Sequence, residues 1–339
     1  MLKNSNWIDE YLKSLEKEIK DKYKGEEINT LYIGGGTPSS LNINQLEKLF
    51  DIIKIFNLKK DAEITFEANS EDLTEEKLKF LKSKINRLSI GIETFNEKIL
   101  KKLNRTINLK NIKNSFNYFE NINLDLMYGF NNQTIDDLLY DLNKLIKLNP
   151  SHISAYSLII EENTKLYINN YKNIDEDLER KMYDLIVTTL NKYGYNHYEI
   201  SNFSKKNYES KHNLVYWNNN HYYGFGLGAS GYIDNIRYEN TRSLNNYLNG
   251  KYVREIHNLS KDEILQNELM LGLRKINGIN KSIFKEKFNF EIDSLPAIKD
   301  LKDKKLLSDN KNNIFINKDY IYTSNEILIK LIDIHLPKQ

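Results

Sequence analysis

Trp7, Ile8, Tyr11, Leu12, Leu15 and Ile19 recur at helical spacing, and the apolar run at 28–33 that follows reads as a short strand. The exchange then repeats. Leu46, Leu49, Phe50 and Ile53 mark a second helix, followed by a strand at 63–68, a helix at 75–84 and a strand at 87–92. Helical segments at 96–103 and 109–119 precede a strand at 122–128, a helix at 135–148 and a strand at 152–158. A long helix at 175–193 and a short strand at 197–200 close the series. Strands separated by helices of about 10–15 residues predict βα units and a parallel sheet. Right-handed crossovers in series curl such a sheet toward a full or partial barrel, with its sites at the C-terminal strand ends. The series opens on a helix, with no strand before Trp7. Two readings stay open: the strand that normally precedes this helix is missing, or the helix caps the barrel floor.

Beyond residue 258 the pattern changes. Helices at 261–275, 281–288 and 295–304 lead to strands at 313–316 and 320–322 and a last helix at 324–334, a winged-helix-like order. Such modules often bind DNA, but the net charge is +2 with 28% charged residues and no concentrated Arg face, so nucleic acid is not the expected partner. No apolar run approaches the ~18 residues of a membrane span, and residues 1–5 carry no export-signal core. A cytoplasmic protein that is not itself transmembrane is expected. The chain has no cysteine, which excludes disulfides, thiolate metal sites and thiol nucleophiles within it.

Candidate chemistry clusters at the predicted strand ends. Leu31-Tyr32-Ile33-Gly34-Gly35-Gly36-Thr37-Pro38-Ser39 runs an apolar strand into three glycines. Glycine removes the Cβ that blocks close approach and leaves backbone N–H groups to point at an acceptor, so this turn suits a ligand cradle or simply a tight βα connection. Glu67 and Asn69 end the next strand, where a carboxylate can accept from hydroxyls or an amine, or stay solvated. Glu93 ends the third and either bonds a ligand or pairs with Arg105. Asp125 stands in an otherwise apolar strand, is costly there unless paired, and is expected to face the cavity. Further on, His212-Asn213-Leu214-Val215-Tyr216-Trp217 precedes the glycine-rich run 224–231. Imidazole can ligate a heme iron, phenolate can add a second ligand and indole can stack on a flat ring; the alternative is a loop anchored by aromatics. The glycines at 224–231 repeat the close-approach logic or form tight turns. No HExxH pair and no Ser-His-Asp arrangement is present.

Together these segments resemble the heme chaperone HemW family, a branch of the radical S-adenosylmethionine proteins related to oxygen-independent coproporphyrinogen III oxidase. The resemblance runs through the glycine motif, Glu67-Ala68-Asn69, 90–95, Leu103-Asn104-Arg105, 125–129, 198–203, His212 to Trp217, 224–231, Leu271-Gly272-Leu273-Arg274 and Ser324-Asn325-Glu326. His-Asn-x-x-Tyr-Trp separates the chaperone branch from the oxidase. The resemblance implies an α/β fold: a partial (β/α) barrel of radical SAM type at 1–205 with its first strand missing, a connecting region with the heme motif at 206–257, and a small C-terminal winged domain at 258–339. It implies that Gly35, Gly36 and Thr37 cradle S-adenosylmethionine and that Glu67, Glu93, Arg105 and Asp125 make further nucleotide or substrate contacts. It places heme on His212 and Tyr216, with His212 as the metal ligand, and implies delivery to a heme-accepting respiratory or membrane-associated protein. Family members open with a strand carrying Cys-x-x-x-Cys-x-x-Cys for a 4Fe-4S cluster; this chain starts just before the first helix and is expected to be truncated, cluster-free and non-catalytic. Glu93 stands where the family usually has Gln, and Asn131 where it favours Pro. Two alternatives accompany this reading: a coproporphyrinogen III oxidase-like enzyme of porphyrin synthesis, and a cluster-free protein that binds S-adenosylmethionine or heme.

Overall fold

The computed structural model describes residues 5–160, 162, 165–168 and 171–336; residues 1–4, scanned above for an export signal, lie outside them. The chain forms two compact units, one of residues 30–43 and 63–209, the other of 1–29, 44–62 and 210–339.

The first unit is built on a curled seven-stranded sheet in the order β1 (Ile28–Ile33), β2 (Leu58–Asn69), β3 (Arg87–Glu93), β4 (Ile122–Tyr128), β5 (His152–Ser157), β7 (Asn202–Ser204), β6 (Asn196–Glu199). β2, β3, β4 and β5 pair in parallel, as the βα alternation requires. Leu88, Ile90, Ile92, Leu124 and Leu126 are fully buried, because a parallel sheet is covered by its crossover helices. One cover is the helix Ile135–Leu148, started by a reciprocal Thr134–Asp137 capping box and burying Leu138, Leu142 and Leu145. β7 is an addition to the expected order: β5 and β6 both pair with it antiparallel, so the last part of the sheet is not parallel. Among the described residues β1 stands at the other end, next to β2.

The second unit begins with the helix Ser5–Lys22, whose Glu18 carboxylate is wholly buried. It accepts from the Tyr247 hydroxyl (2.6 Å), Asn240 Nδ2 (2.7 Å), Gly226 N–H (2.9 Å) and Lys22 Nζ (2.6 Å). Four donors offset the desolvation of one carboxylate and fasten the 224–231 loop to this helix. A sheet absent from the sequence reading follows, ordered β10 (Val253–Asn258), β9 (Ile236–Asn240), β8 (Ser230–Ile233). Asp234 and Asn235 turn between β8 and β9 with φ of 50° and 63°, the left-handed pair of a tight hairpin.

Helices Lys261–Gly272, Lys281–Phe288 and Pro296–Asp303 then pack with a three-stranded sheet, β11 (Ile279–Asn280), β13 (Asn313–Ile316) and β12 (Leu307–Asp309). The strand expected at 320–322 is not formed. Asn317 caps a short 3-10 turn at Lys318–Tyr320 by accepting from the Asp319 N–H, and β12 takes the wing position instead. No helix of the described residues is long and apolar enough to cross a membrane.

Candidate functional site

At the C-terminal end of β1 the chain enters Gly34–Gly36 and a 3-10 turn that Pro38 opens. Glu67, on β2, spans this turn. Its Oε1 accepts from the Tyr32 hydroxyl at 2.6 Å and its Oε2 from the Gly35 N–H at 3.0 Å. Gly34 is required by that arrangement: a Cβ there would lie 2.7 Å from the Tyr32 ring and 2.8 Å from the Glu67 carboxylate. Gly35 holds φ at 96°, and neither it nor Gly36 has an atom within 4 Å of a Cβ position. Thr37 carries a left-handed φ of 57°. The buried Ser39 ties the turn to β2, donating to Asp72 (2.9 Å) and accepting from the Asn69 N–H (3.0 Å). The result is a braced backbone whose last two glycines face open space.

Glu93 sits at a register shift at the end of β3 with φ of 53°, a conformation that costs a non-glycine residue energy. Arg105 approaches it at 3.6 Å. Burial raises the Glu93 carboxyl above its usual range, Arg105 opposes this, and Glu71 and Asp125 add to it. Asp125 is paired within the sheet: Asn123 Nδ2 donates to it at 2.7 Å and Ser89 Oγ at 3.2 Å. Burial still raises its carboxyl, with Glu67 adding. Behind it, Asn123 contacts His152 at 2.7 Å, and His152 contacts Tyr198 at 2.7 Å. Burial, helped by Arg87, holds His152 well below its ordinary value, so it is neutral near pH 7. Glu67, Asp125 and Glu93 are thus electrostatically linked across β2, β4 and β3, and Arg105, beyond the helix that follows β3, joins them through Glu93. Tyr32 and Glu71 belong with them and were missed, because a Tyr inside an apolar strand and an acid in a turn carry no sequence signal.

In the other unit, Ser210 caps the helix Lys211–Trp217 by accepting from the Asn213 N–H. His212 and Tyr216, four residues apart, meet on one face with Nε2 and the hydroxyl 2.8 Å apart and rings edge to face at 5.1 Å. Tyr222 packs on Tyr216 at 4.6 Å. Burial pushes the Tyr216 hydroxyl up to about 12, so it is a neutral phenol at pH 7. A cavity of about 230 Å³ adjoins Tyr216 and Trp217. Three residues of its lining, Trp217, Asn219 and Arg237, each carry an atom (Nε1, Oδ1 and Nε) that is buried without a hydrogen-bond partner. Each such group costs about 1–3 kcal/mol when unsatisfied.

The glycine-rich segment 224–231 is not a second cradle. A Cβ on Gly224 would lie 2.0 Å from the Ser230 carbonyl oxygen, one on Gly226 2.7 Å from the Tyr11 hydroxyl, and one on Gly231 2.2 Å from the Tyr238 ring. These glycines serve the protein's own packing. Among the described residues no three His, Cys, Asp or Glu side chains are grouped to hold a metal ion.

A model of the Radical SAM superfamily matches residues 5–145. The fold is that of the Escherichia coli coproporphyrinogen III oxidase (HemN), a radical SAM enzyme, at a TM-score of 0.84 over 98% of this chain and 84% of that one; at 20% identity the likeness concerns the fold alone. The sequence is more specific. The chain is 38% identical to the heme chaperone HemW of Bacillus subtilis, over 94% of its own length and 90% of the relative's. It is also 38% identical to that of Lactococcus lactis, over 96% and 90%. The Escherichia coli HemW is 33% identical over 74% and 69%. The chain belongs to the heme chaperone HemW family.

Proposed function

We propose that this protein binds heme at the helix 211–217 and passes it to a heme-accepting respiratory or membrane-associated protein. The observation that carries the reading is the His212–Tyr216 pair beside a cavity lined by Tyr216, Trp217, Tyr222 and Tyr232. The residues fit the cargo. Imidazole is a heme-iron ligand, Tyr216 orients it, and Tyr216, Trp217 and Tyr222 supply aromatic surface. Titration of the protein with hemin, followed by the Soret band, tests this. Saturable one-to-one binding is expected, weakened at least tenfold in His212→Ala; titration curves that superimpose would refute it.

Gly35, Gly36 and Thr37 are proposed to cradle S-adenosylmethionine, with Glu67, Glu93, Arg105 and Asp125 as the polar groups around it. The open space over Gly35 and Gly36 supports this, since a Cβ there would occupy ligand volume rather than protein volume. An iron–sulfur cluster does not fit the residues present. The sequence contains no thiolate donor, and no His or carboxylate trio replaces one among the described residues. No reductive cleavage step is therefore derived for this chain, and heme binding is its proposed activity.

A further inference from the structure

We propose that His152 is a positioning residue for Asp125: acting through the Asn123 amide, it holds the Asp125 carboxylate as an acceptor for a hydroxyl or ammonium of the bound ligand. The ligand's identity rests on the S-adenosylmethionine reading; the hydrogen-bond chain does not.

The strand register builds the chain. It lines up Glu67, Ser89, Asn123 and His152 in one row across β2, β3, β4 and β5. Side chains alternate between the faces of a strand, so Asp125, two residues past Asn123, lies on the same face. Asn123 is saturated there. Its Nδ2 donates to Asp125 Oδ1 and to Ser89 Oγ, each at 2.7 Å. Its Oδ1 accepts from Ser154 Oγ at 3.1 Å and lies 2.7 Å from His152 Nδ1. The other ring nitrogen of His152, Nε2, lies 2.7 Å from the Tyr198 hydroxyl.

Chemistry gives the chain one direction. An ionised carboxylate only accepts, so the Asn123 amide turns its nitrogen to Asp125 and its oxygen to His152. His152 Nδ1 must then carry the proton. The ring is fully buried and neutral, so Nε2 is bare and accepts from the Tyr198 hydroxyl. Tyr198 opens the 198–203 segment, to which the sequence reading gave no role. Fixing the imidazole from its far side fixes the amide, and the amide fixes the carboxylate.

The surroundings show why Asp125 needs this support. Burial favours its neutral form, and the Asn123 hydrogen bond is the strongest influence against that. Arg87 on β3 also opposes protonation, whereas Glu67 on β2 and Glu93 at the end of β3 promote it. Tyr32 and Tyr156, which also face Asp125, are neutral phenols. Both oxygens of Glu67 already accept from Tyr32 and Gly35. Asp125 is half-buried, and a carboxylate has about four lone-pair sites, so it keeps capacity beyond Asn123 and Ser89. The group that fills it must be a donor.

Histidine-selective nitrogen NMR of the full-length protein tests the chain without a ligand. Wild type is expected to show a neutral histidine that does not titrate, protonated on Nδ1 and absent from His152→Gln. Asp125→Leu removes the acceptor that orients the amide, and the second tautomer should then appear. Equilibrium dialysis with S-adenosylmethionine reads the consequence. Asp125→Asn and His152→Phe should each weaken binding about tenfold, and the double variant no more than either alone. His152→Gln, whose amide keeps a donor, should recover most of the affinity. A charged His152, or a proton on Nε2 in wild type, would overturn the proposal without any variant. An unchanged tautomer in Asp125→Leu, or additive losses in the double variant, would overturn it too. A wild type that binds no S-adenosylmethionine but shows the expected tautomers would remove that ligand and support the positioning of Asp125.

Discussion

The chain has two glycine-rich segments of like appearance, and their surroundings are opposite. In 34–36 the first glycine is packed against Tyr32 and Glu67, and the next two face open space. In 224–231 the glycines at 224, 226 and 231 are filled by the protein itself, and the buried Glu18 clamps the loop through Gly226 and Asn240. A glycine run therefore marks close approach without saying of what. The answer lies in what a Cβ would meet, and that depends on residues distant in sequence: Glu67 for one segment, Tyr11, Glu18 and Tyr238 for the other.

Substitutions break this comparison in graded steps. Glu18→Ala should have the largest effect, about 3–5 kcal/mol of stability in denaturant unfolding, because it leaves buried donors on Tyr247, Asn240 and Gly226 unpaired. Asp141 sharpens the picture of the sheet unit. It is fully buried, accepting from Thr94 Oγ1 (2.6 Å) and the Phe95 N–H (2.8 Å), and burial raises its carboxyl to about 6. Its folded pKa lies above its unfolded value of 3.8, so the folded state holds the extra proton between these values. Its contribution to stability therefore rises as pH falls through about 6 and levels off below about 4, a change of about 2–3 kcal/mol that Asp141→Asn should erase from a pH series of melts. Gly224→Ala should cost roughly 1–3 kcal/mol, since the clash is with backbone that cannot turn aside. Gly36→Ala should change stability by less than about 0.5 kcal/mol. If the cradle proposal holds, it should nonetheless weaken S-adenosylmethionine at least tenfold in equilibrium dialysis. Equal, small effects of Gly224→Ala and Gly36→Ala on melting would erase the contrast.

Much of the fold is legible in the sequence where burial is two-sided. β3 and β4 are runs such as Leu88, Ile90 and Ile92 that a parallel sheet encloses. The sheet of β8, β9 and β10 was not legible, because its residues obey no apolar alternation: all six of β10 are exposed, and β9 mixes Arg237, Tyr238 and Glu239. β7 is only Asn-Phe-Ser, recognised by its pairing alone. Tyr-Ile-Tyr at 320–322 has strand composition, but Asn317 caps a turn there and pairing goes to β12. In the candidate sites, motif residues such as Glu67, Asp125 and His212 stood out, whereas Tyr32, Asn219 and Arg237 did not. Their importance comes from partners, or from missing partners, that only the folded chain reveals.

Resonance Raman spectroscopy of the ferrous heme complex, in wild type and in His212→Ala, addresses the central claim most directly. The account predicts an iron–histidine stretching band in wild type that is absent from the variant. The same band in both proteins would place the heme on another residue and contradict the account.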